Sequence, residues 1–340
     1  MRAAVYYSNS DIRIEERPVP EPGPGEILMR VRASGLCGSD LMEWYRKPKA
    51  PLVLGHEVAG TVEKTGPGVA GFTPGARIAT THHVPCNRCR FCLTDRHAVC
   101  PTLHATTFDP GGFSEYVRLP AINVERGTFE LPESVGFDEA SFVEPLACVI
   151  RGQRLMGLRA GDSMAVLGAG VSGILHVQLA RALGAGPIVA TDASRPRLAA
   201  ALRFGADAAF AADEPDLPAA VSRATGGRRP DRVIVCAASA AAMQQALALV
   251  EAGGSVLFFA PLPPGERLEL AVLDLWKRGV TITHSYAGPP ADMLVALDLI
   301  AARRLDVRSM ITHRLPLDEI AAGYRLMLEA GESLKILVEP

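Results

Sequence analysis

Asp162-Ser163-Met164-Ala165-Val166-Leu167-Gly168-Ala169-Gly170-Val171-Ser172-Gly173 is the stretch that decides the fold. The apolar run ending at Leu167 reads as a buried strand. It meets three glycines in the spacing G-x-G-x-x-G, and Ile174 to Leu183 follows with helical apolar spacing and closes at Gly184. Ile188-Val189-Ala190-Thr191 is the next strand, ending at Asp192. Strand, glycine loop, helix, strand and acid form a dinucleotide-binding unit. Gly168 permits the tight turn, Gly170 lets the backbone approach a pyrophosphate, and Gly173 permits close packing of helix on strand. The helix N-terminus then faces the phosphates. Asp192 lies nineteen residues beyond Gly173, close to the ~20 expected of the ribose-binding acid. Its carboxylate accepts both ribose hydroxyls and repels a 2′-phosphate, which favours NAD over NADP; Arg195 and Arg197 close behind soften that preference. The candidate nucleotide residues are Gly168, Gly170, Val171, Gly173, Asp192 and Arg197. Alone, such a motif is a plain tight turn as readily as a nucleotide site. Its setting between two strands and before a helix makes the stronger reading.

Downstream the same alternation continues. Helices are expected at Arg197 to Phe204, Leu217 to Ala224 and Ala240 to Val250, and strands at Asp207 to Phe210, Arg232 to Cys236, Ser255 to Phe259 and Thr281 to Thr283. That pattern makes an α/β doubly wound parallel sheet with helices on both faces. Upstream the character differs. Short β-rich runs such as Glu26 to Ala33 and Val58 to Glu63 are punctuated by Pro and Gly turns, which suits a small β-barrel-like domain. The expected division is a first domain over 1–150, completed by 290–340, and a nucleotide domain over 151–289. A length of 340 residues fits two domains at roughly 100–200 residues each.

The first domain carries two clusters of metal-ligand types. Cys37-Gly38-Ser39-Asp40 is followed by Gly55-His56-Glu57, and Glu144 stands much later in Val143-Glu144-Pro145-Leu146. Thiolate, imidazole and carboxylate are the ligands zinc prefers, and a mixed set that leaves a position open is the catalytic pattern. Ser39, two residues from the thiolate, is placed to pass a proton. Taken singly, Cys37, His56 and Glu144 are a small buried residue, a satisfied histidine and a loop acid. The second cluster, Cys86-x2-Cys89-x2-Cys92-x7-Cys100, raises the odds. Four thiolates converging from one loop close a tetrahedron and make a structural site, zinc first and an iron–sulfur cluster as the competing reading.

Composition excludes several classes. The net charge of -2 gives no reason to expect nucleic acid or an anionic membrane as partner. No apolar run approaches the ~20 residues of a membrane span, and the N-terminus lacks the apolar core of a signal peptide. Seven cysteines, four of them within fifteen residues, suit metal ligation better than disulfides. A cytoplasmic compartment is expected, where thiols stay reduced.

Together these residues resemble the zinc-containing medium-chain dehydrogenase/reductase superfamily. The resemblance rests on Pro22-Gly23-Pro24-Gly25-Glu26, Cys37-Gly38-Ser39-Asp40, Gly55-His56-Glu57-x2-Gly60, the four-cysteine lobe, Gly111-Gly112-Phe113-Ser114-Glu115-Tyr116 and the Gly168–Gly173 loop. It runs from Met1 to the C-terminal strand. Glu144-Pro145-Leu146 resembles the polyol (sorbitol/L-iditol) and threonine dehydrogenase branch. The resemblance implies a GroES-like β-barrel catalytic domain, a Rossmann domain and an active site in the cleft between them. It also implies two zinc ions per chain, NAD, and a homo-dimer or homo-tetramer that pairs through the Rossmann sheet edge, with Ser255 to Phe259 and Thr281 to Thr283 as candidate edges. The branch places a histidine five residues after the first ligand; here that residue is Met42.

The expected chemistry is NAD-dependent oxidation of a secondary alcohol, a polyol or sugar-derived alcohol first. A threonine-type amino alcohol or a simple secondary alcohol is the alternative substrate, and a redox-silent nucleotide-binding protein the rival class. Cys37, His56 and Glu144 hold the catalytic zinc, Glu57 is an exchanging ligand or orients the others, and Ser39 takes the proton. Met42, Glu43, Trp44, Tyr45, Thr106, Phe108 and Tyr286 are candidates for the pocket lining.

Overall fold

The computed structural model describes all 340 residues. The chain divides into two compact units: Met1–Ala147 with Ala287–Arg303 and Val307–Pro340, and Cys148–Tyr286 with Arg304–Asp306.

The second unit is built on one six-stranded parallel sheet. Across the sheet the strands run Ala208–Ala211, Ile188–Asp192, Met164–Leu167, Arg232–Val235, Ser255–Phe258 and Thr281–His284. Counted along the chain this is the order 3-2-1-4-5-6 of a Rossmann sheet. The central strands are continuous apolar runs because helices cover both faces. Met164, Ala165 and Val166 are fully buried, as are Val233, Ile234 and Val235. Burying each Val or Ile is worth about 1.5–3 kcal/mol. The expected elements form within a few residues of their sequence bounds. One expectation is corrected: Ser255–Phe258 pairs on both sides and is interior, so the edge on that side is Thr281–His284 alone. Its burial pattern shows the difference, since two of its four residues are exposed. The short helix Val272–Arg278, with no buried residue, escaped the sequence reading for want of an apolar stripe.

The helix Val171–Ala182 buries His176 completely. Gln153 donates from Nε2 to the His176 carbonyl at 2.8 Å and lies 3.3 Å from its Nδ1. The ring meets Phe259 edge-on at 4.7 Å. Burial pushes the His176 pKa down to about 3. The unfolded chain therefore takes up a proton near pH 6.5 that the folded chain refuses until about pH 3, and stability falls with pH through that window. By pH 5 the loss is about 2 kcal/mol. A His176→Gln variant is expected to show a shallower loss of Tm between pH 6.5 and 5 than the wild type; parallel curves would refute this.

The first unit holds a seven-stranded sheet, in which Ile27–Gly35 is flanked by Glu57–Thr65 and Lys335–Glu339, and a three-stranded sheet led by Arg2–Ser8. Its core gathers Ile27, Met29, Val31, Val58, Ile78, Val117 and Leu119 in one cluster and Val5, Tyr6, Leu36, Phe113, Tyr324 and Ile336 in another. The C-terminal strand Lys335–Glu339 pairs with Ile27–Gly35, so the end of the chain completes the first unit. The strand Ile311–Pro316, which alternates half-buried and exposed positions and has no buried residue, was also missed from sequence.

Candidate active site

Strand Ile27–Gly35 delivers the chain to Cys37, which caps the 3₁₀ turn Gly38–Leu41. The Cys37 Sγ accepts hydrogen bonds from the Ser39 backbone N and from Ser39 Oγ, both at 3.4 Å. Asp40, fully buried, accepts from the Cys37 backbone N at 3.1 Å through Oδ2. Its other oxygen lies 3.6 Å from His56 Nδ1 and 3.8 Å from Arg46. A carboxylate behind a ligating imidazole fixes its tautomer and ring orientation. Asp40 was not singled out from sequence, although its place three residues after Cys37 was visible. Arg46 completes the support: it donates from Nε to the Ser39 carbonyl at 3.0 Å and from Nη2 to Ser39 Oγ at 3.1 Å.

The second ligand pair enters where Glu57–Thr65 begins. Ligand atoms of Cys37, His56 and Glu57 all lie within 4.8 Å of one another. One soft anion, one imidazole and one carboxylate at that spacing fit zinc. Burial opposes a charge on His56, but Asp40, the Cys37 thiolate and Glu144 outweigh it and raise its pKa to about 10. So much negative charge around one imidazole is what a divalent cation balances. Glu144, in the helix Val143–Leu155, is buried and acts on both His56 and Glu57 through space. Its carboxylate lies outside the set that closes within 4.8 Å.

Glu57 is held by a partner no local pattern announces. Lys335, fully buried, donates from Nζ to Glu57 Oε2 across 278 residues of chain. Its ammonium also lies 5.0 Å from the Phe142 ring. Burial raises the Glu57 pKa, and Lys335 pulls it back. The pair meets above Gly35, where an added Cβ would strike both Glu57 Oε2 and Lys335 Nζ at 2.3 Å.

The four cysteines come together as a second group within the same 4.8 Å limit. The Cys89 and Cys92 sulfurs are 3.5 Å apart and those of Cys86 and Cys92 3.9 Å. These distances bracket the about 3.8 Å edge of a tetrahedron with ~2.3 Å zinc–sulfur bonds, and are far from a disulfide. An iron–sulfur cluster would hold the thiolates apart by the width of its inorganic core. Backbone N–H groups of Cys89 and Cys86 reach the sulfurs of Cys86 and Cys100 at 3.3 and 3.4 Å.

The glycine loop takes the shape its sequence implies. Gly168 has φ +100°, and a Cβ on Gly173 would lie 1.9 Å from the Gly168 carbonyl. Gly170 instead faces open space, with Arg197 Nη1 at 3.9 Å as the nearest atom, so its backbone is free to approach a phosphate. Asp192 accepts from the Ala169 N at 2.7 Å and the Ser194 N at 2.8 Å, which aims its carboxylate along the loop. Arg197 Nε is buried with no partner.

The pocket candidates separate. Phe108 is buried against His82, ring centroids 6.1 Å apart. Trp44 and Tyr45 are exposed and packed on each other at 5.8 Å. Glu43 pairs with Lys47 at 3.5 Å. The Thr106 hydroxyl accepts from the Val84 N at 2.9 Å and donates to the Leu103 carbonyl at 3.1 Å, so it braces the loop. Tyr286, 45% exposed, belongs to the other unit.

Known proteins resemble the chain over nearly its whole length. Residues 23–132 match the alcohol dehydrogenase GroES-like domain and residues 172–302 the zinc-binding dehydrogenase domain. Sorbitol dehydrogenase of Gallus gallus is 32% identical over 347 residues, spanning 99% of this chain and 96% of the relative. The Homo sapiens sorbitol dehydrogenase is 31% identical, spanning 98% and 94%. Among solved structures, a zinc-binding dehydrogenase from Sinorhizobium meliloti 1021 bound to NADP superposes with a TM-score of 0.88 at 32% identity, covering 100% of this chain and 99% of that one. The alcohol dehydrogenase of Thermus sp. ATN1 gives 0.87 at 30% identity, covering 100% and 99%.

Proposed function

The chain belongs to the zinc-containing medium-chain dehydrogenase/reductases, and from that premise we propose that it oxidises a secondary alcohol, a polyol or sugar-derived alcohol first, to the ketone with NAD as hydride acceptor. The observation that carries this reading is the convergence of Cys37, His56 and Glu57 within 4.8 Å. A redox-silent nucleotide binder has no use for such a set.

Cys37, His56 and the carboxylates of Glu57 and Glu144 would hold the catalytic zinc, with Glu57 and Glu144 able to exchange; Cys86, Cys89, Cys92 and Cys100 would hold the structural one. When bound, zinc supplies Lewis-acid polarisation of the substrate oxygen and the nicotinamide supplies the hydride acceptor. The protein's residues do the rest. Asp40 sets a buried carboxylate oxygen 3.6 Å behind His56 Nδ1. Ser39 takes the substrate's hydroxyl proton on Oγ and passes its own proton to the nucleotide ribose or to water. Arg46, donating to Ser39 Oγ, holds the hydroxyl in place. Gly168, Gly170, Val171 and Gly173 cradle the pyrophosphate at the helix N-terminus. Asp192 accepts from the ribose hydroxyls, which supports NAD over NADP, while the NADP in the Sinorhizobium meliloti structure makes both nucleotides worth measuring.

The test is nucleotide reduction with NAD and with NADP on sorbitol, xylitol, inositols, 2,3-butanediol and threonine, before and after chelation. Chelation-sensitive turnover of a polyol with NAD is expected. Activity unaffected by removal of both zinc ions would refute the mechanism, and activity on threonine alone would move the substrate class.

We further infer assembly into a homo-dimer or homo-tetramer through the second unit. The edge strand Thr281–His284 offers unpaired backbone groups. Beside it in sequence, Val272, Leu273 and Trp276 are 67%, 65% and 76% exposed. A Trp276→Glu variant is expected to run at a lower oligomeric mass by light scattering; an unchanged mass would exclude this surface. None of the seven cysteines is in a disulfide, which supports a reducing, cytoplasmic compartment. No helix is long and apolar enough to cross a membrane.

A further inference from the structure

Three histidines gather at the zinc-ligand set, and each stands in a different state. His56 belongs to the ligand set. His83 is taken by the protein, its Nδ1 lying 2.9 Å from the Leu103 carbonyl. His82 is neither. Its ring stands 4.8 Å from that of His56, centroid to centroid, and 3.8 Å from that of His83. It lies outside the group of donors that could share an ion. Its Nδ1 is buried and has no hydrogen-bond partner.

A buried polar atom without a partner costs about 1–3 kcal/mol, and native proteins leave few of them. The surroundings hold this one in place. Asn123, fully buried, donates from Nδ2 to the carbonyls of Thr81 and His82 at 2.8 and 3.2 Å. Val84 N is tied to Thr106 Oγ1 at 2.9 Å, and Phe108 packs edge-on against the His82 ring. The ring is thus braced by its chain neighbours and by Phe108, while its Nδ1 stays unpaired in a ring that lies 4.8 Å from that of the ligand-set residue His56.

Resting on the dehydrogenase reading above, we propose that His82 is a substrate-binding residue whose Nδ1 hydrogen-bonds a second hydroxyl, on the carbon next to the one oxidised, so that the site selects vicinal diols and polyols over simple secondary alcohols. The chemistry suits an alcohol in either tautomer. A hydroxyl both donates and accepts, so it satisfies Nδ1 whether or not that atom carries the proton. A purely apolar neighbour would leave the nitrogen unpaired, and a site built to hydrogen-bond a hydroxyl discriminates strongly against the analogue that lacks it. Met42, where the related branch has a histidine, leaves that position unable to make such a bond.

The experiment compares kcat/KM for 2,3-butanediol and its monohydroxy analogue 2-butanol in the zinc-loaded enzyme. The variants are His82→Phe, which keeps a ring against His56, and His82→Asn, which keeps a hydrogen-bonding group. Wild type is expected to favour the diol. His82→Phe is expected to lower the diol-to-monool ratio by roughly 10–100-fold, the worth of one buried hydrogen bond, and His82→Asn to restore part of it. Zinc content and Tm measured on each variant show that the site is intact; if Phe is not tolerated, the Asn and Gln variants carry the comparison. A ratio unchanged in all variants, or a wild type that favours 2-butanol, overturns the role of His82 and leaves the dehydrogenase standing. A wild type that oxidises neither alcohol with zinc bound overturns both.

Discussion

Cys37→Ser is expected to lower kcat/KM for alcohol oxidation by well over about 100-fold, more than loss of a residue that only supports a metal ligand costs. Zinc takes a cysteine as its soft anionic ligand and a serine hydroxyl is no substitute, so the site loses that ligand. The two donors now aimed at Sγ, the Ser39 N and Oγ, would face a shorter and neutral atom. Zinc measured by atomic emission should fall from two ions to one per chain, because the four-cysteine group uses none of the same donors. Nucleotide binding should stay within about twofold, well inside the roughly tenfold that 1.4 kcal/mol represents, since the Gly168–Gly173 loop is built from its own residues in the other unit. Wild-type turnover in this variant, or two zinc ions retained, would remove Cys37 from the mechanism.

The second large effect is on stability. Lys335→Met is expected to cost about 3–5 kcal/mol, the penalty for removing one partner of a buried ion pair. Lys335 is fully buried and Glu57 2% exposed, so water cannot take over the lost interaction. The site makes matters worse, because the Glu57 carboxylate already lies beside that of Glu144. Tm should drop by roughly 6–20 °C at ~2–4 °C per kcal/mol for a unit of this size. Replacing both partners, Lys335→Met with Glu57→Gln, should recover much of the loss, since an unpaired charge then no longer remains inside. A single-variant drop under about 2 °C, less than 1 kcal/mol is worth, would show that the pair contributes little.

These two predictions stand at opposite ends of what could be read in advance. Cys37 and His56 were visible because short motifs carry them. Cys37-Gly38-Ser39-Asp40 and Gly55-His56-Glu57 place ligand types beside turn residues, and the four cysteines announce their convergence by spacing alone. Lys335 was read only as the first residue of a terminal strand. Its partner is 278 positions away, and only the antiparallel pairing of Lys335–Glu339 with Ile27–Gly35, next to Glu57–Thr65, brings the two together. His82 was passed over for the same reason. Nothing in Thr81-His82-His83 distinguishes the imidazole tied to Leu103 from the one left beside His56. The sheet edge was misread in part, because Ser255–Phe258 and Thr281–His284 are similar as strands and differ only in how many neighbours the sheet allots them.

The sequence by itself determined the doubly wound unit, its glycine loop and the two sets of metal donors. Each depends on interactions a few residues long: apolar runs, backbone conformations open to glycine, and thiolates spaced along one loop. Tertiary structure alone decided which carboxylate comes within 4.8 Å of the Cys37 and His56 donors, which ammonium pairs with it, and which histidine keeps an unpaired nitrogen. Those choices turn on distances between segments far apart in the chain, and on burial, which makes an unmatched charge or an unpaired nitrogen costly only once water has been excluded.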